Sequence, residues 1–295
     1  MLDIIKYSSL EFRKHEGQCI PRGPSFARAK TEKVLLPQCA LEFRAPRHSP
    51  LRRHAIEQYR VVPEKHYGLE EMSTFGSDFV PSDSWQKVRI CSRTWAFYGP
   101  WFTGYMGDVS LSINVVGIPE GKPDVNFLYP AALETAIQGF LTAFSGHNVY
   151  DKDKLTPYYR GPVNWIPINS LAVPTVQFDV EERITSGYGY RYVVCAVSRD
   201  RLLVFRFRFL QNCSGKRADK DAKISPEPML ELINNIISSI RLTPSPELQA
   251  EIDKAKAKCA GEYSVPNECQ PFKWPADVGK DGLTILDYRE GRYKS

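Results

Sequence analysis

The feature that most constrains the fold is the segment Leu202–Leu210, which reads LLVFRFRFL. Its three phenylalanines fall at odd-numbered positions and its two arginines at even-numbered positions. Because the side chains of a β-strand point alternately to the two faces of a sheet, this segment predicts a strand with a Phe face turned toward the core and an Arg face turned outward.

This strand belongs to a larger block, Tyr190–Leu242, in which two strands precede a helix. The apolar run Tyr190–Val197 and the turn SRDR come before the strand, and a polar loop containing GKRADKDAK follows it. Apolar residues at three- and four-residue spacing then predict an amphipathic helix over Pro226–Ile240. The residues that this helix is expected to bury are Leu230, Ile233, Ile236, Ile237 and Ile240.

A second unit of strands and a helix lies earlier in the chain. Gln86–Tyr98 and Asp108–Ile118 alternate in polarity around a glycine-rich turn and predict a β-hairpin, with Arg89 and Arg93 on the same face. Ala131–Phe144 predicts a helix. Strands followed by a helix, twice and without β–α–β alternation, indicate an α+β fold of antiparallel sheets backed by helices. Two similar strand–strand–helix halves are one arrangement of such a fold.

The chain of 295 residues divides into four predicted segments. The first is a basic N-terminal segment whose strand, Val34–Phe43, is interrupted by Pro37 and is therefore expected to be an edge strand or a bent strand. A hairpin-plus-helix half and a three-strand-plus-helix half follow, and a charged helix with an irregular tail ends the chain. The boundaries of these segments are 1–66, 67–170, 171–245 and 246–295.

Positive charge is concentrated in the first segment. Residues 1–66 carry 13 Lys and Arg against 7 Asp and Glu, whereas the rest of the chain carries 26 against 27. A basic segment beside a neutral body suggests an electrostatic partner. Acidic protein, nucleic acid and anionic lipid all qualify, and a solvated basic surface is the alternative. The candidate partner-binding residues here are Arg47, Arg52, Arg53, His54 and Arg60.

The turn of the predicted hairpin is rich in aromatic residues. Trp101 and Phe102 lie in the turn itself, and Tyr98 and Tyr105 lie at its base. Exposed aromatic side chains of this kind dominate many protein interfaces. These four residues are therefore candidates for partner contact, with local capping of the core as the alternative.

The sequence carries none of the catalytic or nucleotide-binding motifs GxSxG, HExxH, GxxxxGK[ST] or a GxGxxG between strand and helix. We therefore expect no catalytic residues, no cofactor and no metal. Asp151 and Asp153 alternate with lysines, which indicates a surface turn. The basic residues cluster in the N-terminal segment instead of following an RNA-binding sheet, so nucleic acid is not expected as a partner.

Cysteine usage leaves the compartment open. Seven cysteines form an odd set with no CxxC pair, which argues against a zinc cluster. Cys39, Cys91 and Cys195 lie in apolar runs and are expected to be buried. Cys259 and Cys269 are spaced to form a disulfide in an oxidising compartment.

No window reaches the ~20 apolar residues of a membrane span. The first residues, MLDIIKYSSLEFRKHEG, lack the basic start and the apolar stretch of a secretory signal. A cytoplasmic location is therefore expected, or a periplasmic one if the chain is a processed form.

The segment Arg201–Leu242, with its strand LLVFRFRF, polar excursion and final helix ending in IISSIRL, is similar to the end of PsbP/Mog1-like domains. The same α/β sandwich occurs in bacterial immunity proteins that neutralise lipase effectors of type VI secretion systems. The resemblance implies a binding scaffold without catalysis, on which surface residues carry the function. The secretion signal or lipobox that periplasmic immunity proteins need is not seen in this sequence.

Two hypotheses follow from these patterns. The first is a non-enzymatic protein-binding module, an immunity or adaptor protein that neutralises or carries a bacterial secreted effector through the aromatic turn and the basic segment. The second is a small-ligand-binding protein or enzyme with a pocket between sheet and helix. A pocket lined by convergent polar groups would favour the second hypothesis.

Overall fold

The structure is a computed structural model, and it describes residues 17–51, 58–62, 65, 67, 73–74, 85–100, 104–118, 126–145, 149–151, 156–182, 189–259, 263–267 and 269. Within these ranges the chain forms twelve β-strands and four α-helices. The antiparallel sheets with packed helices confirm the predicted α+β class.

The strands are β1 (Lys30–Leu35), β2 (Cys39–Ala45), β3 (Ser73–Thr74), β4 (Gln86–Tyr98), β5 (Tyr105–Gly117), β6 (Val149–Asp151), β7 (Thr156–Pro157), β8 (Tyr159–Pro167), β9 (Thr175–Glu182), β10 (Tyr190–Ala196), β11 (Arg201–Gln211) and β12 (Arg241–Pro244). The helices are α1 (Pro130–Ser145), α2 (Arg217–Lys223), α3 (Glu227–Ser238) and α4 (Pro246–Lys258). A short 3-10 helix covers Phe26–Arg28.

Seven strands form the main sheet in the order β3-β4-β5-β11-β10-β9-β8. The predicted hairpin is β4–β5, and β9, β10 and β11 form the antiparallel strands of the later block. Strand β11 pairs with β5 along its whole length, from Arg201 opposite Gly117 to Gln211 opposite Gly107. Strands of both predicted halves therefore belong to one continuous sheet.

A smaller sheet, in the order β1-β2-β12, packs on the Phe face of the main sheet. Phe205 and Phe207 are fully buried, and the ring of Phe43 from β2 meets that of Phe205 edge to face, with centroids 6.1 Å apart. Such pairs add roughly 0.5–1.5 kcal/mol to the burial of their area. Helix α3 packs on the same side of the main sheet. Its Met229 lies close to Gly107 of β5, since a Cβ added to Gly107 would be 2.9 Å from the Cε of Met229.

Helix α1 packs on the opposite face of the main sheet. Its Phe140 meets Tyr192 of β10 edge to face, with centroids 6.2 Å apart. The prediction that the arginines of β11 face outward holds for Arg208, which is exposed. It is wrong for Arg206, which is half-buried because the ring of Phe144 in α1 lies 5.3 Å from its guanidinium carbon.

The predicted helices are present with small shifts in their buried faces. Helix α1 buries Leu133, Ile137, Phe140 and Leu141, as expected, and Phe144 is only partly covered. Helix α3 buries Met229, Leu232, Ile233 and Ile236. Leu230 and Ile237 of α3 lie at the rim of the core instead of inside it, since they are only partly buried.

The predicted interrupted strand Val34–Phe43 is in fact a hairpin. Leu35 of β1 pairs with Ala40 of β2, and Pro37 lies in the turn between them. The prediction of a single strand is wrong because Pro37, which cannot donate a backbone hydrogen bond, reverses the chain here. Strand β1 is nevertheless at the edge of its sheet, as expected.

A β-bulge in β4 changes the position of a charged residue. Arg89 pairs with Asn114 and Arg93 with Leu111, with a register shift between them. The prediction that the two arginines share a face is wrong, because one extra residue reverses the alternation of side chains. Arg89 is on the α1 side, whereas Arg93 points into the layer below the small sheet and is only 5% exposed.

The buried Arg93 joins the two sheets. Its Nη1 donates hydrogen bonds to the carbonyl oxygens of Ala45 (3.3 Å) and Pro46 (3.1 Å), and its Nη2 pairs with the carboxylate of Glu32 in β1. A charge in such a position needs its partner, since an uncompensated buried charge is strongly destabilising.

Removing the carboxylate of Glu32 should therefore destabilise the fold. We expect Glu32→Gln to lower the free energy of unfolding by about 2–3 kcal/mol, because a hydrogen bond between charged groups is lost, measured by urea denaturation. The matched control is Glu42→Gln in the same hairpin, because Glu42 pairs with Lys33 on the exposed side and should cost little. Equal losses in the two variants would contradict the role of Arg93 as a buried link.

Candidate functional site

The N-terminal segment is held against the outer edge of β4 at three points. The backbones of Arg22 and Tyr98 exchange hydrogen bonds of 2.7 and 2.9 Å, and those of Tyr59 and Ser92 exchange bonds of 3.2 and 2.9 Å. Between these points, Ser49 donates to Thr94 and accepts from Ala96 at 2.9 and 2.8 Å. The described part of the segment therefore covers an edge that would otherwise expose unpaired backbone groups.

This docking fixes the position of a stretch of backbone that carries many basic side chains. Cys19 is also bridged to the end of α2, since its N–H donates to Lys223 and its carbonyl accepts from Ser225, both at 2.8 Å. Arg47 and Arg60, two of the predicted partner-binding residues, are exposed beside β4. The Nε of Arg60 donates to Gln58 at 3.2 Å. Among its described residues, the other exposed basic side chains of the segment are Arg22, Arg28, Lys30, Lys33 and Arg44.

The base of the aromatic turn is a packed cluster. Tyr98 and Tyr105 are buried and meet edge to face with centroids 6.4 Å apart, together with Ala96 and Leu51. The hydroxyl of Tyr105 donates to a carboxylate oxygen of Asp108. For these two tyrosines the structure shows capping of the core, the alternative to partner contact that the sequence left open.

The remaining predicted residues lie outside the described part of the chain. They are Arg52, Arg53, His54, Trp101 and Phe102. The ends of the aromatic turn are closed, since the Gly99 N–H donates to the Gly104 carbonyl at 2.9 Å. Because Leu51 of the basic segment packs on Tyr98 and Tyr105, the segment and the base of the turn lie at the same end of the main sheet.

A pocket of about 30 Å³ opens between α1 and the main sheet. Three cationic side chains line it: Lys87 and Arg89 from β4 and Arg206 from β11. We call this site the cation pocket. Its polar lining also includes Ser112, Asn114 and Tyr192, and the described residues that line it include no Asp or Glu.

Aromatic rings hold the cations of this pocket in place. The guanidinium carbon of Arg206 lies 5.3 Å from the ring centroid of Phe144 and 5.0 Å from that of Tyr190, and the Lys87 Nζ lies 5.4 Å from that of Phe144. Arg208, the next outward residue of β11, lies 5.9 Å from Tyr190. Contacts of this kind stabilise a cation while leaving the edge of a guanidinium able to donate hydrogen bonds.

The cations of the pocket repel one another. The pKa of Lys87 is lowered, first by burial and then by the positive charges of Arg89 and Arg206. Burial also raises the pKa of Tyr192 to about 12, against an opposing effect of Arg206. Lys33 on the small sheet shows the reverse, because a hydrogen bond to Glu42 raises its pKa. The concentration of positive charge in this pocket therefore lowers the stability of the folded protein.

The second hypothesis from the sequence includes a pocket between sheet and helix, and this pocket lies in such a place, but the sequence analysis did not predict the residues that line it. The even-numbered arginines of β11 were a usable signal, and Lys87 and Arg89 share a parity in β4. What the sequence could not supply was the strand order that brings β4 to β11 through β5, and the position of Phe144 above them.

The described cysteines are free thiols, so Cys259 and Cys269 are not bonded to each other. Cys39, Cys91 and Cys195 are buried, as expected, and burial raises their pKa values to about 12, 11 and 12. Cys269 accepts a hydrogen bond from Gln138 of α1 at 3.2 Å. Among the described residues, no three His, Cys, Asp or Glu side chains gather as a metal site.

No protein-family model, curated protein or solved structure matches this chain significantly. The similarity of Arg201–Leu242 to PsbP/Mog1-like domains therefore stays a prediction. None of the helices in the described parts of the chain has the length and apolar character that crossing a membrane requires.

Removing the charge of Lys87 should stabilise the protein at neutral pH. Because the pKa of Lys87 is lower in the folded chain than in the unfolded chain, folding is penalised below that folded pKa, and the penalty disappears as the pH rises to the ordinary lysine pKa of about 10.4. We expect Lys87→Gln to raise the free energy of unfolding at neutral pH, with a gain that shrinks toward about pH 10, measured by urea denaturation.

The control for this prediction is Lys33→Gln. The pKa of Lys33 is raised by Glu42, so its charge supports folding below the unfolded pKa and its removal should bring no gain. A Lys87→Gln variant that is less stable than the wild-type protein at neutral pH would contradict the lowered pKa of Lys87, which burial and the neighbouring arginines cause.

Proposed function

We propose that this chain is a non-enzymatic binding protein that captures an acidic protein partner at the edge of β4. The contact surface comprises Arg47 and Arg60, and the sequence prediction adds Trp101 and Phe102, which lie outside the described residues. The observation that carries the proposal is the docking of the basic segment on β4, which holds Arg47 and Arg60 exposed on an ordered backbone.

Preorganisation is the physical reason why this docking favours binding. A basic arm that is ordered only on binding loses conformational entropy at that moment, which weakens its affinity. The stretches around Arg47 and Arg60 are already paired with β4, so most of that loss has occurred on folding. Positive charge on a fixed surface also accelerates encounter with an acidic partner.

The class of partner is proposed from the family resemblance. The similarity of Arg201–Leu242 to PsbP/Mog1-like domains supports an immunity or adaptor protein that neutralises or carries a bacterial secreted effector, such as one of a type VI secretion system. On such a scaffold the sheet and helices form the core, and the partner surface is built at its margins. We place this binding in the cytoplasm.

Charge reversal at the edge of β4 tests the proposal. The tagged protein is purified from its native cells in low salt, and we expect a stoichiometric acidic partner that high salt releases. The double variant R47E/R60E should lose this partner, because two attractive contacts become repulsive. Mass spectrometry of the eluate measures the loss.

The matched control is R28E/R241E, which changes the net charge equally at two exposed residues outside the proposed surface. This variant should retain the partner. Unchanged recovery by R47E/R60E, equal loss in both double variants, or the absence of any stoichiometric partner would each overturn the proposal.

A further inference from the structure

The cation pocket lies on the α1 side of the main sheet, whereas the proposed partner surface follows the outer edge of β4. Lys87, Arg89 and Arg206 come from two strands that do not pair with each other, because β5 lies between them. Three positive charges thus converge on one cavity from separate parts of the sequence. This placement is independent of the proposed partner.

The end of α1 does not neutralise these charges. The C-terminal end of a helix carries a partial negative charge of about half an elementary charge, and Phe144 in the last turn of α1 lines the pocket. Half a charge is less than the three positive charges that line the cavity. The lowered pKa of Lys87 agrees with this balance.

The donors in the pocket suit an oxyanion. Arginine offers several N–H donors in one plane, which match the oxygens of phosphate or carboxylate, and lysine supplies a compact charge. The ring faces of Phe144 and Tyr190 flank Arg206, and its side chain is hydrogen-bonded to Tyr192, so its other in-plane donors are the groups that can bind a ligand. The hydroxyl of Ser112 and the amide of Asn114, which are hydrogen-bonded to each other at 2.9 Å, lie in the same wall.

The size and charge of the pocket select among oxyanions. Its volume of about 30 Å³ is room for roughly two water molecules, so a small group enters and any larger remainder stays outside. A phosphate group carries up to two negative charges at neutral pH, and it balances the three cations better than one carboxylate does.

We infer that the cation pocket is a binding site for a phosphate group, with Lys87, Arg89 and Arg206 as its ligands. The group is either inorganic phosphate or the phosphate ester of a small molecule whose remainder projects past the exposed Arg89.

Thermal unfolding measured against added anion tests this site. The intact protein is titrated with inorganic phosphate, with glycerol phosphate as a phosphate ester, with acetate and with chloride, all at the same ionic strength. We expect saturable stabilisation by phosphate that acetate and chloride do not reproduce. An equal effect of glycerol phosphate identifies an ester as an accepted ligand, and an effect of phosphate alone identifies the free anion.

Two substitutions identify the pocket as the place of binding. Arg89→Gln removes an exposed side chain and should weaken the apparent affinity for phosphate about tenfold, because a charge-assisted hydrogen bond is lost. Arg206→Lys retains the charge but loses the planar donors, and it should weaken binding as well. Arg28→Gln, which makes the same charge change outside the pocket, should leave the affinity within about twofold.

The result that would overturn the site is an absence of saturable phosphate stabilisation in the wild-type protein, or equal stabilisation by acetate. Equal weakening by Arg28→Gln and Arg89→Gln would also overturn it, since it would show unspecific attraction to the whole chain. Loss of the protein partner in R47E/R60E does not bear on these readouts, so the two proposals fail or succeed separately.

Discussion

The packing of the small sheet on the Phe face of the main sheet is the interaction on which the rest of the structure depends. Phe43 against Phe205 and the buried Arg93 beside them connect β1 and β2 to strands far away in sequence. Once the phenylalanines of β11 face this layer, the alternation of a β-strand requires its arginines to face α1. The Phe core and the position of Arg206 in the cation pocket are therefore two consequences of one strand.

The same packing also positions the described part of the N-terminal segment along the edge of β4. The β1–β2 hairpin lies in the core layer, and the chain on both sides of it runs along the edge of β4, where Arg22, Ser49 and Tyr59 pair with the strand. A segment whose composition indicates a basic arm is in this way part of the folded body. Its charge is then a property of a fixed surface, which has a different physical meaning from the charge of a mobile tail.

Local patterns predicted the elements well, and non-local pairing limited the rest. Residues close together in the sequence determine the alternation in LLVFRFRFL, the β4–β5 hairpin and both main helices. These features could therefore be predicted. One inserted residue near Ile90 reversed the expected face of Arg93, and no local signal marks such a bulge. The cation pocket needed the order of β4, β5 and β11, which depends on contacts between residues more than a hundred positions apart, such as Lys87 and Arg206.

Hydrogen exchange followed by mass spectrometry tests most directly the claim that the N-terminal segment belongs to the folded core. The account predicts that the amides of β2, and those of Arg22, Ser49 and Tyr59 at the edge of β4, exchange with a protection close to that of β10 and β11, since all open together on unfolding. Rapid exchange of residues 17–51 while β10 and β11 stay protected would contradict it, because the basic segment would then be a separate arm.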